Sequence, residues 1–423
     1  MTISKKQTLG QFNTTNADFI LKGCEKYVKG KDVIDPCAGD GDLLEWSKKN
    51  GAKSATGYDI DPSKKSKHIS HRDSLNNPPN YKGKYTVANP PFLAQNKNPV
   101  EKSKGDNSIY IKNQSDDLYK IAIQTMIDGN AGGGILIIPL GFLSSNRSRQ
   151  IRYKFFRKYK IVHCKVFEMQ VFEDTTYTVC VIVFTKDKKN IGEKALPVVF
   201  IPSGEEITFT VSRKHGWICG QEFDEFLNGV STRGISRWEE KDTKSCTGKT
   251  KEERREKGVE RGTVYVQDFE KGRRKGKEYY GAKSNAAFPL EALDDIILMH
   301  AIDSGSENGK IKLTNIKDRK LPCGHHHILL GKTSSRHLAH IRFTKKISKE
   351  IQLQIIDLVN EWLNEFREKY RSMFLTTFRN SVDGNSRKRI EFTQMYKLIA
   401  KAYLKLTKEY LDPKKEVSVF DCV

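Results

Sequence analysis

The stretch Lys31-Asp32-Val33-Ile34 leads into Asp35-Pro36-Cys37-Ala38-Gly39-Asp40-Gly41. It gives way at once to Asp42-Leu43-Leu44-Glu45-Trp46-Ser47-Lys48-Lys49, whose apolar residues keep helical spacing. The order is strand, glycine turn, helix. Such a unit predicts an α/β fold in which a ligand lies beyond the carboxyl ends of parallel strands. Gly39 and Gly41 permit backbone angles and close approaches that a Cβ would block, so a cofactor can lie against the turn. The spacing is not the Gly-x-Gly-x-x-Gly of dinucleotide enzymes, and a short glycine turn taken alone is also a plain connection.

Ala55-Thr56-Gly57-Tyr58-Asp59-Ile60 reads as a second strand that ends in an acid. That acid falls about 20 residues beyond the turn, where doubly wound folds set a carboxylate against ribose hydroxyls. Asp59 is the expected ribose ligand. In His71-Arg72-Asp73-Ser74-Leu75, Asp73 sits where a third strand would end and can accept from an adenine amino group; a solvated loop acid is the alternative. After the apolar run Tyr85-Thr86-Val87-Ala88 comes Asn89-Pro90-Pro91-Phe92. Two prolines stiffen the chain where the strand ends, the Asn89 and Pro90 oxygens can both accept from one amino group, and Phe92 offers a face for stacking. A proline turn that merely closes a buried strand has the same letters.

Taken in order, these segments resemble the S-adenosylmethionine-dependent amino-methyltransferases, and specifically the DNA adenine-N6 enzymes of restriction-modification type with the gamma-like order of motifs. In that family Asp-Pro-x-x-Gly-x-Gly is the cofactor turn, acids end strands two and three, and (Asn/Asp)-Pro-Pro-aromatic ends strand four. The N-terminal stretch Thr8-Leu9-Gly10-Gln11-Phe12-Asn13-Thr14-Thr15 is similar to the segment that contacts the methionine part of the cofactor, with Thr14-Thr15 replacing the usual Thr-Pro. The resemblance covers about residues 8–186. It implies S-adenosylmethionine as cofactor, held by Thr8, Gly10, Gln11, Phe12, Asn13, Asp35, Pro36, Cys37, Gly39, Gly41, Asp59, Ile60, Asp73, Ser74 and Asn89, with Asn89, Pro90, Pro91 and Phe92 as the catalytic turn.

Asp116 to Met126 has the period of a helix with one buried face, and Gly132 to Pro139 reads as a buried strand, a pair that extends a parallel sheet. Val162 to Phe167 and Thr178 to Phe184 leave no room for a helix between them and predict a hairpin. The family ends its sheet with such an antiparallel pair and sets an aromatic or apolar residue of the intervening loop against the flipped base. Val171-Phe172-Glu173-Asp174 matches that loop, which makes Phe172 the second stacking residue and Tyr177 its substitute; Phe172 as a plain core residue is equally consistent. The expected fold is therefore a Rossmann-like class I methyltransferase sheet with an antiparallel terminal hairpin, followed by a mixed, partly helical target-recognition domain. Residues 1–190 form the catalytic domain and 191–423 the recognition domain.

The chemistry sets further limits. The adenine amino lone pair is delocalised into the ring, so acceptors at Asn89 and the Pro90 carbonyl and an in-line methyl donor supply the help it needs. No covalent intermediate is required. C5-cytosine methylation needs a nucleophilic Cys, and Cys37 lies inside the cofactor turn while the other cysteines sit in no nucleophile motif. A base inside a duplex cannot reach such a pocket and must rotate out of the stack. RNA adenine-N6 or DNA cytosine-N4 transfer preserves nearly the same chemistry. Transfer to a protein glutamine does so too, but a long basic C-terminal half argues against it.

The net charge of +22 attracts phosphates and predicts salt-sensitive binding of double-stranded DNA. No apolar run reaches about 18 residues, which argues against a membrane span. The N-terminus has no signal-peptide core, and eight cysteines without regular spacing suggest reduced thiols in a cytoplasmic protein. A cognate restriction endonuclease acting on the same site is an expected partner. Gln95 to Asn107 reads as a polar loop that closes over the nucleotide, contacts the duplex or is simply solvated. The densest basic patch, Lys271, Arg273, Arg274, Lys275 and Lys277 with Tyr279 and Tyr280 following, has the make-up of a DNA-contacting loop. Lys249 to Lys257 mixes signs and reads as a solvated helix or loop. Cys323-Gly324-His325-His326-His327 lacks the pairing of a metal site, so no metal is expected. Asp224 with Glu239-Glu240-Lys241 faintly resembles a nuclease arrangement, which chance explains in so charged a chain. Two amphipathic helices, Ile347 to Tyr370 and Phe392 to Leu406, close the chain as scaffold for the recognition domain.

Overall fold

The computed structural model describes residue 14 and residues 16–95, 108–172, 177–189, 191–239, 259–267, 280–289, 293–303, 310–316, 327–331, 338–377 and 388–411. For 259–267, 280–289, 327–331 and 376–377 it describes the backbone alone. The chain divides into two compact units, Met1–Gln221 with Thr377–Arg387, and Glu222–Thr376 with Lys388–Val423.

The first unit is built on one sheet. Its strands are β1 (Asp32–Asp35), β2 (Ser54–Asp59), β3 (Ile69–His71), β4 (Tyr85–Ala88), β5 (Gly133–Pro139), β6 (Tyr159–Phe167), β7 (Val179–Lys186), β8 (Glu193–Ile201) and β9 (Glu206–Ser212). Its main helices are α1 (Asp42–Lys49), α2 (Ser108–Asn113), α3 (Leu118–Asp128) and α4 (Arg149–Lys158). The strand order is β3-β2-β1-β4-β5-β7-β6-β8-β9. β3, β2, β1, β4 and β5 run parallel, and β7 is antiparallel to both β5 and β6. This is the doubly wound, Rossmann-like sheet that the sequence predicts, with β6 and β7 as its predicted antiparallel pair.

The reasons are local. All seven residues of β5 are buried, as a strand covered on both faces requires. α1 buries Leu43, Leu44 and Trp46, carries Asp42 and Glu45 in its first turn and Lys48 and Lys49 in its last, which complements the helix dipole at both ends. It packs against β2 at Gly57, where a Cβ would stand 2.6 Å from Leu44 Cδ1 and 2.7 Å from Ala38 Cβ. α4 sends Ile151, Phe155 and Phe156 inward, each worth about 1.5–3 kcal/mol when fully buried.

The sheet runs past the boundary expected at residue 190. β8 pairs in parallel with β6 from Cys164↔Val198 to Phe167↔Ile201, and β9 pairs antiparallel with β8, so the sheet continues to Ser212. The division falls between Gln221 and Glu222. Every second residue of β8 from Lys194 to Phe200 is buried, the period of a strand covered more on one face than the other.

The second unit contains β10 (Ile235–Arg237), β11 (Val259–Gln267), β12 (Tyr280–Pro289), β13 (Ile297–His300), β14 (Ile302–Asp303), β15 (Lys312–Asn315), β16 (His327–Gly331) and β17 (Leu338–Phe343). One sheet runs β10-β17-β13-β15 and a second β12-β11-β16. The closing helices are α5 (Lys349–Tyr370) and α6 (Phe392–Thr407), within a few residues of the spans predicted from periodicity. α5 clamps the first sheet with two side-chain amides. Gln352, fully buried, donates to the Asp294 and Ile347 carbonyls and accepts from Ile296 N, while Asn360 exchanges both bonds with the Leu313 backbone. Among the described residues no helix is long and apolar enough to cross a membrane.

Candidate active site

The strand order reverses direction between β1 and β4, which lie side by side in parallel. The glycine turn after β1 and the Asn89–Phe92 turn after β4 therefore open at the same edge of the sheet, in the crevice where such folds bind ligands.

The glycine turn is held from β2. Gly39 and Gly41 sit at φ +52° and +95°, in the left-handed region, and Ala38 N donates to Tyr58 O at 2.8 Å. Gly39 N donates to Asp59 Oδ2 and Asp61 N to Asp59 Oδ1, both at 2.8 Å. Asp59 is 4% exposed, so its first task is to brace the turn. Each carboxylate oxygen has a second acceptor site, which leaves capacity for ribose hydroxyls. Ile60, next along, is half exposed and available to lie against an adenine ring. Asp73 stands just past β3, where its Oδ1 accepts from Leu75 N and Asn76 N and its Oδ2 from Asn76 Nδ2. Ser74 is buried, and its hydroxyl has no partner among the described residues.

Asp35, at the end of β1, is 1% exposed. Its Oδ1 accepts from Cys37 N at 3.0 Å, and its Oδ2 has no partner among the described residues. Burial pushes its carboxyl up to about 8, with nearby Asp59 adding to the rise and the Cys37 amide opposing it. Burial likewise raises the Cys37 thiol, and Asp35, Asp59 and Asp73 all push it further in the same direction. The structure thus gathers the three predicted acids around Cys37. The thiolate is disfavoured there, which removes Cys37 as a nucleophile. A cofactor that carries a sulfonium and an ammonium fits this site, because an acidic cradle with a bare, buried carboxylate oxygen is matched by a cation that donates hydrogen bonds.

Asn89 follows β4 directly. Its Nδ2 donates to Thr14 Oγ1 at 3.1 Å, and Thr14 is 5% exposed. The chain from Thr14 enters a short helix, Ala17–Ile20, that is tied to β6 by Lys165, whose buried Nζ donates to the carbonyls of Ile20 and Lys22 at 2.9 and 2.8 Å. The sequence by itself singles out neither Thr14 nor Lys165 for a role at this site. The available signals are the Thr14-Thr15 pair at the family's Thr-Pro position and a lysine set between Cys164 and Val166 in β6.

Beyond Asn89 the turn is fastened to α3. Leu93 O accepts from Tyr110 OH and Leu118 N, and Gln95 N donates to Asp116 O. Phe92 is 2% exposed and meets Tyr119 and Tyr177 edge to face, each at 6.4 Å between ring centres. It is a packed ring rather than the open face expected from the sequence. Phe172 is also buried, at 5% exposure, and its carbonyl accepts from Gln170 Nε2. Tyr177 is the partly exposed member of the aromatic set.

Several predicted residues lie outside the described part of the chain: Thr8, Gly10, Gln11, Phe12 and Asn13; residues 96–107 after Gln95; Glu173 and Asp174; 249–257; Lys271, Arg273, Arg274, Lys275 and Lys277; and 323–326. β11 and β12 pair antiparallel from Val259↔Pro289 to Gln267↔Tyr280, so the basic run falls in the connection of a hairpin. Of the nuclease-like acids, Glu239 is engaged by Arg237 at 2.8 Å, and Glu240 and Lys241 are outside the described residues.

Known proteins resemble parts of this chain. It is similar to the modification subunit of a putative type I restriction enzyme from Vibrio vulnificus YJ016, with 16% identity over 57% of this chain and 57% of that one and a TM-score of 0.36. It resembles a putative class I S-adenosylmethionine-dependent methyltransferase from Listeria monocytogenes, with 13% identity over 48% and 70% of the two chains and a TM-score of 0.34. It also resembles the type IIG restriction endonuclease BpuSI, with 11% identity over 95% and 61% and a TM-score of 0.39. The matched part thus spans just over half the length of the Vibrio subunit. No curated protein matches the sequence. Residues 58–270, just over half of the chain, match the family described as N-6 DNA Methylase. This chain belongs to the N-6 DNA Methylase family, and S-adenosylmethionine is its cofactor.

Proposed function

We propose that the protein methylates the N6 amino group of an adenine rotated out of duplex DNA, at a sequence chosen by its second unit. The observation that carries this reading is the Asn89 amide, fixed by Thr14 at the end of β4, beside the acid-lined turn after β1. A planar amide whose nitrogen is anchored has its oxygen anchored too. That oxygen and the Pro90 carbonyl accept the two hydrogens of an aromatic amine, which draws the nitrogen toward a pyramidal geometry and frees its lone pair. S-adenosylmethionine supplies an electrophilic methyl when bound. Asp59 and Ile60 orient the nucleoside end of that cofactor, Asp73 and Ser74 its adenine, and Asp35 its cationic amino-acid end. Phe92, Phe172 and Tyr177 hold the base once their packing opens to admit it. The excess proton on the methylated nitrogen leaves to solvent, since no described residue at the turn is placed as a strong base.

DNA recognition falls to residues beyond Gln221, with the hairpin connection that carries Lys271 to Lys277 as the contacting loop, and a restriction endonuclease of the same specificity is the expected partner. The test is incubation with duplex DNA and methyl-labelled cofactor, followed by digestion to nucleosides and mass spectrometry. N6-methyladenine is the expected product. Label confined to N4-methylcytosine, to RNA or to protein contradicts the reading.

A further inference from the structure

α2, α3 and α4 enclose a groove on the first unit. It consists of two adjoining cavities of about 530 and 660 Å³ that share Asn113, Gln114, Gln124 and Lys154. Its walls follow from helical spacing. On α4, Gln150, Lys154, Arg157 and Lys158 recur at i, i+4, i+7 and i+8 and line the groove, while Phe155 and Phe156 of the same helix turn to the core. On α3, Lys120, Gln124 and Asp128 form the facing stripe. The groove begins at Gln95, three residues beyond Phe92 in the sequence.

Its charges are unbalanced. The two acids that line it are already engaged: Asp116 pairs with Lys120 at 2.6 Å, and Asp128 accepts from Gln124 Nε2 at 2.7 Å. Lys158 Nζ donates to the Ile127 carbonyl. The side chains of Lys112, Arg147, Lys154 and Arg157 are exposed and have no partner among the described residues. The Gln124 Oε1 has none either. A concave, amide-lined surface with several uncompensated cations is matched by a chain of anions, and cations about 5–6 Å apart on one helix face can engage successive phosphates.

We infer that this groove seats the phosphodiester backbone of the nucleic-acid substrate, so that the catalytic unit itself holds a stretch of backbone leading away from the target base. The inference rests on the proposed function for the identity of the polyanion. It adds a contact surface built by the first unit's own helices.

The test is the salt dependence of duplex DNA binding, measured by fluorescence anisotropy with the full chain. The groove variant is Lys112→Gln/Lys154→Gln/Arg157→Gln, and the control Lys29→Gln/Lys31→Gln/Lys53→Gln removes the same charge from exposed cations that do not line the groove. The groove variant is expected to bind at least about 10-fold more weakly, with a slope of log affinity on log salt shallower by about 2–3, at roughly 0.9 for each phosphate no longer neutralised. The control should keep the wild-type slope, and calorimetry should find S-adenosylmethionine affinity unchanged in both. If the triple variant does not fold, Lys154→Gln alone, where the cavities meet, should reduce the slope by about 0.9. An unchanged slope in the groove variants, or an equal reduction in the control, overturns the inference while leaving the proposed function standing. Wild-type protein that binds no duplex DNA overturns the proposed function and this inference with it.

Discussion

The Thr14–Asn89 hydrogen bond fixes which way round the Asn89 amide is held. Because the two groups are mutually anchored, replacing Thr14 by Val keeps the shape and removes the acceptor. Removing an orienting hydrogen bond with a net worth of about 0.5–1.5 kcal/mol lowers kcat by roughly 2–10-fold. Steady-state kinetics should show that fall with KM for DNA little changed, and Thr14→Ser should restore most of it. Equal kcat for Val and wild type removes Thr14 from the positioning of Asn89. Asp35 has a different signature. Its folded carboxyl is raised from the ordinary value of 3.8 to about 8, chiefly by burial. Between those values the folded chain keeps a proton that the unfolded chain has released, so Asp35 makes stability fall as pH rises across that window. A bound cation favours the ionised form, so at pH 7 cofactor binding should release close to one proton from this group. Calorimetric titration of S-adenosylmethionine in buffers of different ionisation enthalpy measures this release directly. It should vanish in Asp35→Asn, and an equal release from that variant would show that another group supplies the proton.

At the scale of elements, what the sequence made legible is what short-range physics dictates. The strand, turn and helix from Asp32 to Lys49 are marked by an apolar pair, two glycines and helical spacing, each of which has a local cause. The strands β4, β5 and β7 are marked by nearly unbroken apolar and β-branched runs. What escaped depends on distant neighbours. β8 and β9 carry half-buried alternation that any surface hairpin shares, and only the free edge of β6 makes them part of the same sheet. α4 is so basic that its apolar side, Ile151, Phe155 and Phe156, is easily passed over. Phe92 illustrates the limit for single residues. Its position after two prolines was evident, but its burial against Tyr119 and Tyr177 comes from helices and loops far away in the sequence.

At the scale of the whole molecule, the two units divide the work by composition. The first builds a deep core around a parallel sheet whose reversal between β1 and β4 creates the crevice. The second uses smaller sheets and two amphipathic helices, and the densest basic run lies between β11 and β12 in the sequence. The glycine turn and the Asn89–Phe92 turn were readable because each needs particular residue types in a fixed order, whereas the packing of Phe92 against Tyr119 and Tyr177 depends on contacts distant in the sequence. The central claim is therefore tested at Asn89. The most direct measurement is single-turnover methyl transfer to duplex DNA by wild type and Asn89→Ala, with DNA affinity determined in parallel. Removing one such preorganised group costs about 10²–10³ in rate, and that fall with DNA binding retained is the expected result; an unchanged rate contradicts the role given to Asn89 and the site built around it.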